Sequence, residues 1–173
     1  MIVTVFGTGS PTKEAYDEAY NLGKLLAKKG HVLKNGGYAG TMEAAAKGCK
    51  EENGTSIGVC IDGHEISRDS DAPNKYLTKV IITKSINDRI KELLRTDIII
   101  VLEGKIGTLE ELLVAWVESL YKDAKGEKTT PIYIIGEKNK KLLDFLKTNN
   151  FIKPEYFKHV TYINSINELD FIK

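Results

Sequence analysis

Short runs of β-branched and apolar residues alternate along this chain with longer stretches in which apolar positions recur at helical spacing. Ile2 to Phe6 is such a run and predicts a central parallel strand. It ends in Gly7-Thr8-Gly9-Ser10-Pro11, with Ser10 or Thr12 as the cap of a helix over Thr12 to Lys29. Ala15, Ala19, Leu22 and Leu26 share one face of that helix, and Gly30 closes it. The pattern repeats with a strand over His31 to Lys34, a glycine turn from Asn35 to Thr41, and a helix from Met42 to Glu51. Ala44, Ala45, Ala46 and Gly48 suit that helix to close packing. Asn53-Gly54 turns into a strand over Thr55 to Ile61. Asp62 to Lys75 is polar and aperiodic, a loop of the length that often forms a lid or binding segment.

In the second half, Leu77 to Thr83 predicts a strand. Ser85 to Arg95 predicts a helix with Ile86, Ile90, Leu93 and Leu94 on one face and Ser85 paired with Asp88 at its start. Ile98 to Leu102 is a fully apolar strand, followed by a glycine-spaced loop, Glu103 to Thr108, and a long helix reaching Tyr121. Leu109, Leu112, Leu113, Trp116, Val117 and Leu120 are its expected buried face. Pro131 to Ile135 and His159 to Ile163 predict two more strands, with a helix over Asn139 to Lys147 between them. A capping box at Ser165 and Glu168 opens a short terminal helix. This rhythm defines one α/β domain over residues 1–173, a Rossmann-like doubly wound parallel sheet of about seven strands with helices on both faces.

In such a sheet ligands bind beyond the carboxyl ends of the strands, near the point where strand order reverses. The glycine turns at Gly7, Gly36 and Gly104 all follow strands and therefore converge on that edge. The sharpest of them is the stretch from Asp97 to Tyr121, a strand, a glycine loop and a helix start in succession. Glycines admit a ligand to the backbone, and a helix N-terminus offers unpaired N–H donors and partial positive charge. The expected ligand is a phosphorylated small molecule.

Composition narrows the alternatives. The chain has 173 residues, 25 basic against 24 acidic side chains, and therefore no global basic field of the kind that draws nucleic acid. The N-terminus lacks the pattern of a signal peptide, and no run of about 18 apolar residues predicts a membrane span. Cys49 and Cys60 form no CxxC pair, and His31, His64 and His159 are scattered, so neither disulfide nor metal is expected and a cytoplasmic protein is. The dinucleotide pattern G-x-G-x-x-G, the Walker lysine and the GxSxG elbow are all absent. An amino-acid decarboxylase would need pyridoxal phosphate on a lysine; Lys105 is the only candidate, and no partner for the pyridine nitrogen accompanies it, so no cofactor is expected.

The spacing of Thr108 and Glu111 sets both on one helix face, turned away from the core. It is also the T-x-x-E signature of a capping box, which spacing alone favours. Glu110 reads as a solvated or salt-bridged residue. Arg89 stands at the margin of its helix's apolar stripe, either along the rim of a cleft or lying over apolar surface.

Two motifs resemble those of the LOG family of cytokinin-activating phosphoribohydrolases, within a wider superfamily long mislabelled lysine decarboxylases. One is GGxxGxM before a small-residue helix, here Gly36-Gly37-Tyr38-Ala39-Gly40-Thr41-Met42, with Gly54 and Ile57-Gly58-Val59 beyond it. The other is PGGxGTxxE, here Glu103-Gly104-Lys105-Ile106-Gly107-Thr108-Leu109-Glu110-Glu111. The resemblance runs from the Gly7-Ser10 turn to about Ile135.

The resemblance implies hydrolysis of a nucleoside 5′-monophosphate such as AMP to free base and ribose 5-phosphate, without nucleic-acid or membrane partners, in a homodimer or higher homo-oligomer that buries the long helices. It implies that Gly104, Lys105, Gly107 and Thr108 hold the phosphate. Gly7, Ser10, Gly36, Gly37, Gly40, Thr41 and Met42 would line the nucleotide, and Glu111 and Arg89 would be catalytic. Glu103 and Lys105 depart from the family's proline and second glycine, and Asp88-Arg89-Ile90 stands where the phosphoribohydrolases carry Arg-Lys. These departures resemble the branch that includes molybdenum-cofactor carrier-like proteins, which implies a non-catalytic nucleotide or phosphorylated-cofactor binder as the alternative.

Overall fold

The computed structural model of the chain describes residues 1–62 and 73–171. Seven strands form one parallel sheet in the order β4-β3-β2-β1-β5-β6-β7. They are β1 (Ile2–Phe6), β2 (Val32–Asn35), β3 (Ser56–Ile61), β4 (Lys79–Thr83), β5 (Ile98–Val101), β6 (Ile132–Ile135) and β7 (Val160–Ile163). The chain builds outward from β1 to β4, then crosses to β5 on the other side of β1. The order thus reverses between β1 and β5, which pair from Val3 with Ile98 to Phe6 with Val101. The α/β Rossmann-like fold expected from the rhythm of the sequence is the fold observed.

Two apolar clusters cover the sheet, one on each face. On one face, α1 (Lys13–Lys28) and α2 (Thr41–Glu51) pack Ala19, Leu22, Leu26, Ala44 and Ala45 over Val3, Val5 and Ile100. On the other, α3 (Ile86–Leu93), α4 (Ile106–Ala124) and α5 (Glu137–Thr148) bring Leu93, Leu112, Trp116 and Leu143 onto Phe6, Ile99, Val101 and Ile134. α1 and α2 touch backbone to backbone: a Cβ on Gly23 would lie 2.0 Å from the carbonyl oxygen of Ala45, and one on Gly48 2.0 Å from that of Tyr20. The small residues of α2 thus allow the close approach expected of them.

Several boundaries moved for identifiable reasons. β2 begins at Val32 and reaches Asn35, so His31 stands outside it. Thr12, not Ser10, caps α1, its hydroxyl accepting from Ala15 N at 3.3 Å. α3 stops at Leu93, and a 3-10 helix over Pro154–His159 shortens the last strand. α5 starts at Glu137, earlier than predicted, because Glu103, remote in sequence, accepts the backbone N–H of Lys138 at 2.9 Å. Ser165 and Glu168 form no capping box. Glu168 instead accepts from the backbone and side-chain nitrogens of Asn164 at the start of a 3-10 helix, Ile166–Phe171. The pairing of Ser85 with Asp88 is present, at 3.1 Å to the backbone N–H and 2.7 Å to the carboxylate. Most of the long polar loop from Asp62 to Lys75, expected as a lid or binding segment, lies outside the described residues.

Candidate functional site

Above the carboxyl ends of β1, β2, β3 and β5 lies a cleft of about 420 Å³. Among the described residues, its wall is drawn from five chain segments: Gly7 to Ser10 after β1; Tyr38, Ala39 and Met42 after β2; Ile61 at the end of β3; Ile86 and Arg89 of α3; and Lys105, Gly107, Thr108, Glu110 and Glu111 at the start of α4. Of the residues singled out in the sequence, Gly7, Ser10, Met42, Arg89, Lys105, Gly107, Thr108 and Glu111 therefore meet in one cavity. Gly36, Gly37, Gly40, Thr41 and Gly104 do not line it.

Those five shape the cleft from behind. Thr41 ties the first two turns together, its hydroxyl accepting from Thr8 N at 2.8 Å and its own N–H donating to Thr8 O at 2.9 Å. Gly40, at φ +72°, admits this contact, since a Cβ there would sit 2.3 Å from the Thr8 carbonyl oxygen. Gly37 spends its N–H on Asn35 Oδ1 at 2.8 Å and its carbonyl on Asn74 at 2.9 Å. A Cβ on Gly36 would lie 2.1 Å from Nη2 of Arg89, so this glycine is the space in which the guanidinium rests. A Cβ on Gly104 would lie 2.0 Å from Thr108 Oγ1. With glycine there, Thr108 folds under the loop and donates to the Gly7 carbonyl at 2.7 Å.

The start of α4 is open to the cleft. Lys105 is its N-cap residue with no side-chain hydrogen bond capping the helix, and no acidic side chain stands in the first turn. A Cβ on Gly107 would meet no atom within 4 Å. A helix N-terminus with uncapped N–H groups, a lysine at its cap and a bare glycine in its first turn is suited to an anion. Glu103 does not oppose that charge from within the cleft, because its carboxylate is directed to the start of α5, where the backbone N–H of Lys138 meets it at 2.9 Å and Lys138 Nζ at 3.7 Å.

Glu111 departs from expectation. It faces inward, only 7% exposed, and neither it nor Thr108 caps the helix, which begins at Ile106. Its Oε1 accepts from Arg89 Nη1 at 2.9 Å, while Arg89 Nε donates to the Val59 carbonyl at 3.0 Å. Burial pushes the Glu111 carboxyl up to about 7, against the opposing pull of Arg89. A carboxyl that titrates near neutrality can give or take a proton at little cost. Because Glu111 turns inward, so does the rest of that phase of α4: Leu112, Ala115, Trp116 and Ser119 are buried, whereas Leu113 and Val117, expected in the core, are exposed.

Sequence reasoning missed two contributors. Tyr38 lies with the Arg89 guanidinium carbon 5.8 Å from its ring centroid, and its hydroxyl oxygen accepts from Ile61 N at 2.9 Å. An aromatic residue inside a glycine turn, one strand from an arginine-bearing helix, was the available signal. Lys34 is buried in β2, and its Nζ donates to the carbonyls of Glu92 and Arg95 at 2.9 and 2.8 Å, which secures the end of the helix that carries Arg89. Cys49 and Cys60 belong to the interior, where burial pushes the Cys49 thiol up to about 11 and raises that of Cys60. Among the described residues, no group of three His, Cys, Asp or Glu side chains could hold a metal ion.

A doubly wound parallel sheet with a glycine-shaped cleft at its switch point and an open helix start defines a Rossmann-like α/β protein. The model of the SLOG cluster4 family matches residues 1–123, and the chain belongs to that family. An uncharacterized protein of Archaeoglobus fulgidus is 35% identical over 119 residues, 68% of this chain and 75% of that one. The cytokinin riboside 5′-monophosphate phosphoribohydrolase of Mycobacterium tuberculosis is 26% identical over 178 residues, 96% of this chain and 89% of its own length. Among solved structures, the molybdenum cofactor binding protein of Rippkaea orientalis superposes with a TM-score of 0.76 at 24% identity, covering 99% of this chain and 94% of that one. At that identity the likeness concerns the fold.

Proposed function

We propose that this protein hydrolyses the N-glycosidic bond of a nucleoside 5′-monophosphate to free base and ribose 5-phosphate. The observation that carries the reading is the Glu111 carboxyl, raised to about 7 and paired with Arg89 in the same cleft as the open start of α4. Gly107, Thr108 and Lys105 hold the 5′-phosphate by backbone N–H groups and charge, in the loop that Gly104 permits. Gly7, Ser10 and Met42 border the nucleotide, while Gly36, Gly37, Gly40 and Thr41 keep the two turns behind it in place. The C1′–N bond breaks with its electron pair passing to the base. Water attacks C1′ as positive charge develops there, Glu111 takes the water's proton and returns it to solvent, and the departing base takes up a proton from solvent water. Arg89 holds Glu111 in position and supplies positive charge beside the sugar and phosphate.

A second reading, a carrier or sensor of a nucleotide or phosphorylated cofactor, draws on the same pair. Arg89 already occupies one oxygen of Glu111, so the carboxylate would serve chiefly to hold the arginine. Incubation with AMP and other monophosphates, followed by chromatography of the products, separates the two readings. Released base that disappears in a folded Glu111→Gln variant supports the enzyme; stoichiometric binding without release supports the carrier.

The protein acts on a small molecule and we place it in the cytoplasm; no described helix is long and apolar enough to cross a membrane. We also propose a homodimer through the outer face of α4, where Leu113, Val114, Val117 and Tyr121 form an exposed stripe at helical spacing.

A further inference from the structure

The cleft has two chemically different ends. Among the described residues, the charged side chains that line it are Arg89 of α3, Lys105 at the N-cap of α4, and Glu110 and Glu111 of α4. At the β3 side the apolar lining among the described residues is Tyr38, Met42, Ile61 and Ile86, with Arg89 beside them on the Val59 carbonyl. Ile86 stands 43% exposed on the first turn of α3, an apolar side chain at a cleft mouth. The separation follows from the strand order. From β5, which delivers the start of α4, to β3, which ends at Ile61, the sheet takes three steps through β1 and β2. At about 4.8 Å per step this is roughly 14 Å, room for a phosphorylated sugar with a ring system laid out along the sheet edge.

Tyr38 is the fixed element of the apolar end. Its hydroxyl oxygen accepts the Ile61 N–H at 2.9 Å, its backbone carbonyl accepts Asn74 Nδ2 at 3.1 Å, and the Arg89 guanidinium lies over one face of the ring, 5.8 Å from its centroid, which leaves the opposite face for a ligand. These contacts also consume the polar groups of that wall: the Ile61 N–H is taken, and Asn74 Nδ2 is shared between the carbonyls of Gly37 and Tyr38. Among the described residues, a ring placed there meets an aromatic face and aliphatic side chains, with few donors or acceptors to read its edge.

We infer that Tyr38, with Met42, Ile61 and Ile86, forms a stacking subsite for the planar nitrogen heterocycle of the phosphorylated ligand. Because stacking selects a flat ring and not its edge pattern, the subsite accepts several bases. This inference rests on the proposed nucleotide site and assigns its second end. It makes Tyr38 and Ile86 determinants of affinity for the ring and leaves the phosphate to α4.

The test is calorimetric titration of the wild-type protein, Tyr38→Ala, Tyr38→Phe and Ile86→Asn with AMP, GMP and ribose 5-phosphate. Exposed Ile86 can be replaced without opening the core, and circular dichroism melts verify that each variant is folded. Removal of a base–aromatic stack by alanine costs about 1–3 kcal/mol, roughly 5- to 150-fold. Tyr38→Ala should therefore weaken AMP and GMP by at least about fivefold and ribose 5-phosphate by clearly less. Ile86→Asn should act in the same direction, and Tyr38→Phe, which keeps the ring, should retain most of the AMP affinity. Equal losses for AMP and ribose 5-phosphate, or none for AMP in both Tyr38→Ala and Ile86→Asn, overturn the subsite while the nucleotide site stands. A large preference of the wild type for AMP over GMP overturns recognition by stacking alone. Failure of the wild type to bind any of the three probes overturns the nucleotide site and the subsite with it.

Discussion

Arg89 and Glu111 meet across α3 and α4, Nη1 to Oε1 at 2.9 Å, and the arginine is held a second time by the Val59 carbonyl at 3.0 Å. The pair joins the strand that ends below the apolar end of the cleft to the helix that opens its anionic end. Two opposite charges with little solvent around them depend on each other. Each removes part of the cost of burying its partner, and neither is neutral to lose.

A measurable pH dependence follows for Glu111. Its folded-state carboxyl titrates at about 7, above the ordinary 4.5, because burial disfavours the charged form more than Arg89 restores it. The folded state therefore binds this proton more tightly than the unfolded state. Its stabilising contribution is complete below about pH 4.5 and is lost as pH rises through about 7. The whole rise is worth about 3 kcal/mol at about 1.4 kcal/mol per pH unit. Urea denaturation of wild type and Glu111→Gln at pH 5 and pH 8 isolates the effect, since carboxylates elsewhere titrate alike in both. The wild type should lose clearly more stability than the variant between the two conditions; parallel losses would contradict the raised value.

Breaking the pair from either side should differ from replacing both members. Arg89→Met leaves an unpaired buried carboxyl and should destabilise by about 3 kcal/mol near pH 8, and by less where Glu111 is protonated. Arg89→Met combined with Glu111→Leu removes the uncompensated group, so much of that stability should return even though ligand binding and turnover do not. A double-mutant cycle by denaturant titration gives the coupling energy. Additive losses would mean that the two side chains stabilise the fold independently.

Two glycines of the GGxxG turn should separate function from folding. At Gly36 a new Cβ meets the far end of the Arg89 side chain at 2.1 Å, which can swing away. Gly36→Ala should therefore fold with a small loss of stability and lose most of its activity or ligand affinity. At Gly40 a new Cβ meets the Thr8 backbone oxygen at 2.3 Å and the backbone sits at φ +72°, so Gly40→Ala should cost about 1–3 kcal/mol or more. Thermal melts beside AMP titrations read both effects. A Gly36→Ala protein with wild-type binding would remove Arg89 from the site.

The residue at the motif proline has a partner of its own. Glu103 accepts the Lys138 N–H at the start of α5, a helix whose N-cap, Gly136, provides no side chain for the task. Glu103→Ala should destabilise by about 1 kcal/mol, as loss of a helix cap does. Its AMP affinity should stay near that of the wild type. Lys105→Ala should behave oppositely, with unchanged stability, weaker binding and a shallower salt dependence. Calorimetry at two ionic strengths distinguishes the two variants.

The sequence made the sheet legible because its strands are short β-branched runs and its glycine turns fall at their ends, so local chemistry and topology agree. It concealed the orientation of Glu111. α4 carries apolar residues at Leu109, Leu112, Leu113, Trp116 and Val117, a stripe wide enough to fit two rotational phases of the helix. The choice between them rests on Arg89 waiting on α3 and on Trp116 Nε1 donating to the Tyr156 carbonyl at 3.0 Å. Glu103 was opaque for a related reason, since its partner stands 35 residues away across a strand. Tyr38 was hidden by its setting: in a glycine turn it reads as filler until Ile61 and Arg89 are seen against it.

That choice of phase has a consequence for assembly. With Leu112 and Trp116 turned inward, Leu113 at 44%, Val117 at 48% and Tyr121 at 66% exposure lie on the outer face of α4. A stripe of this kind favours association, and a second copy can bury it symmetrically, residue against the same residues. Val117→Glu places a like charge on both sides of such an interface and removes nothing from the core. It should shift the sedimentation coefficient from that of a dimer to that of a monomer with the circular dichroism spectrum unchanged. The open start of α4 lies at one end of the same helix, so turnover of AMP measured across the monomer–dimer transition tells whether assembly and the site are coupled. A wild-type protein that sediments as a monomer at every concentration, with Val117→Glu identical to it, would leave the stripe without a second copy as its cover.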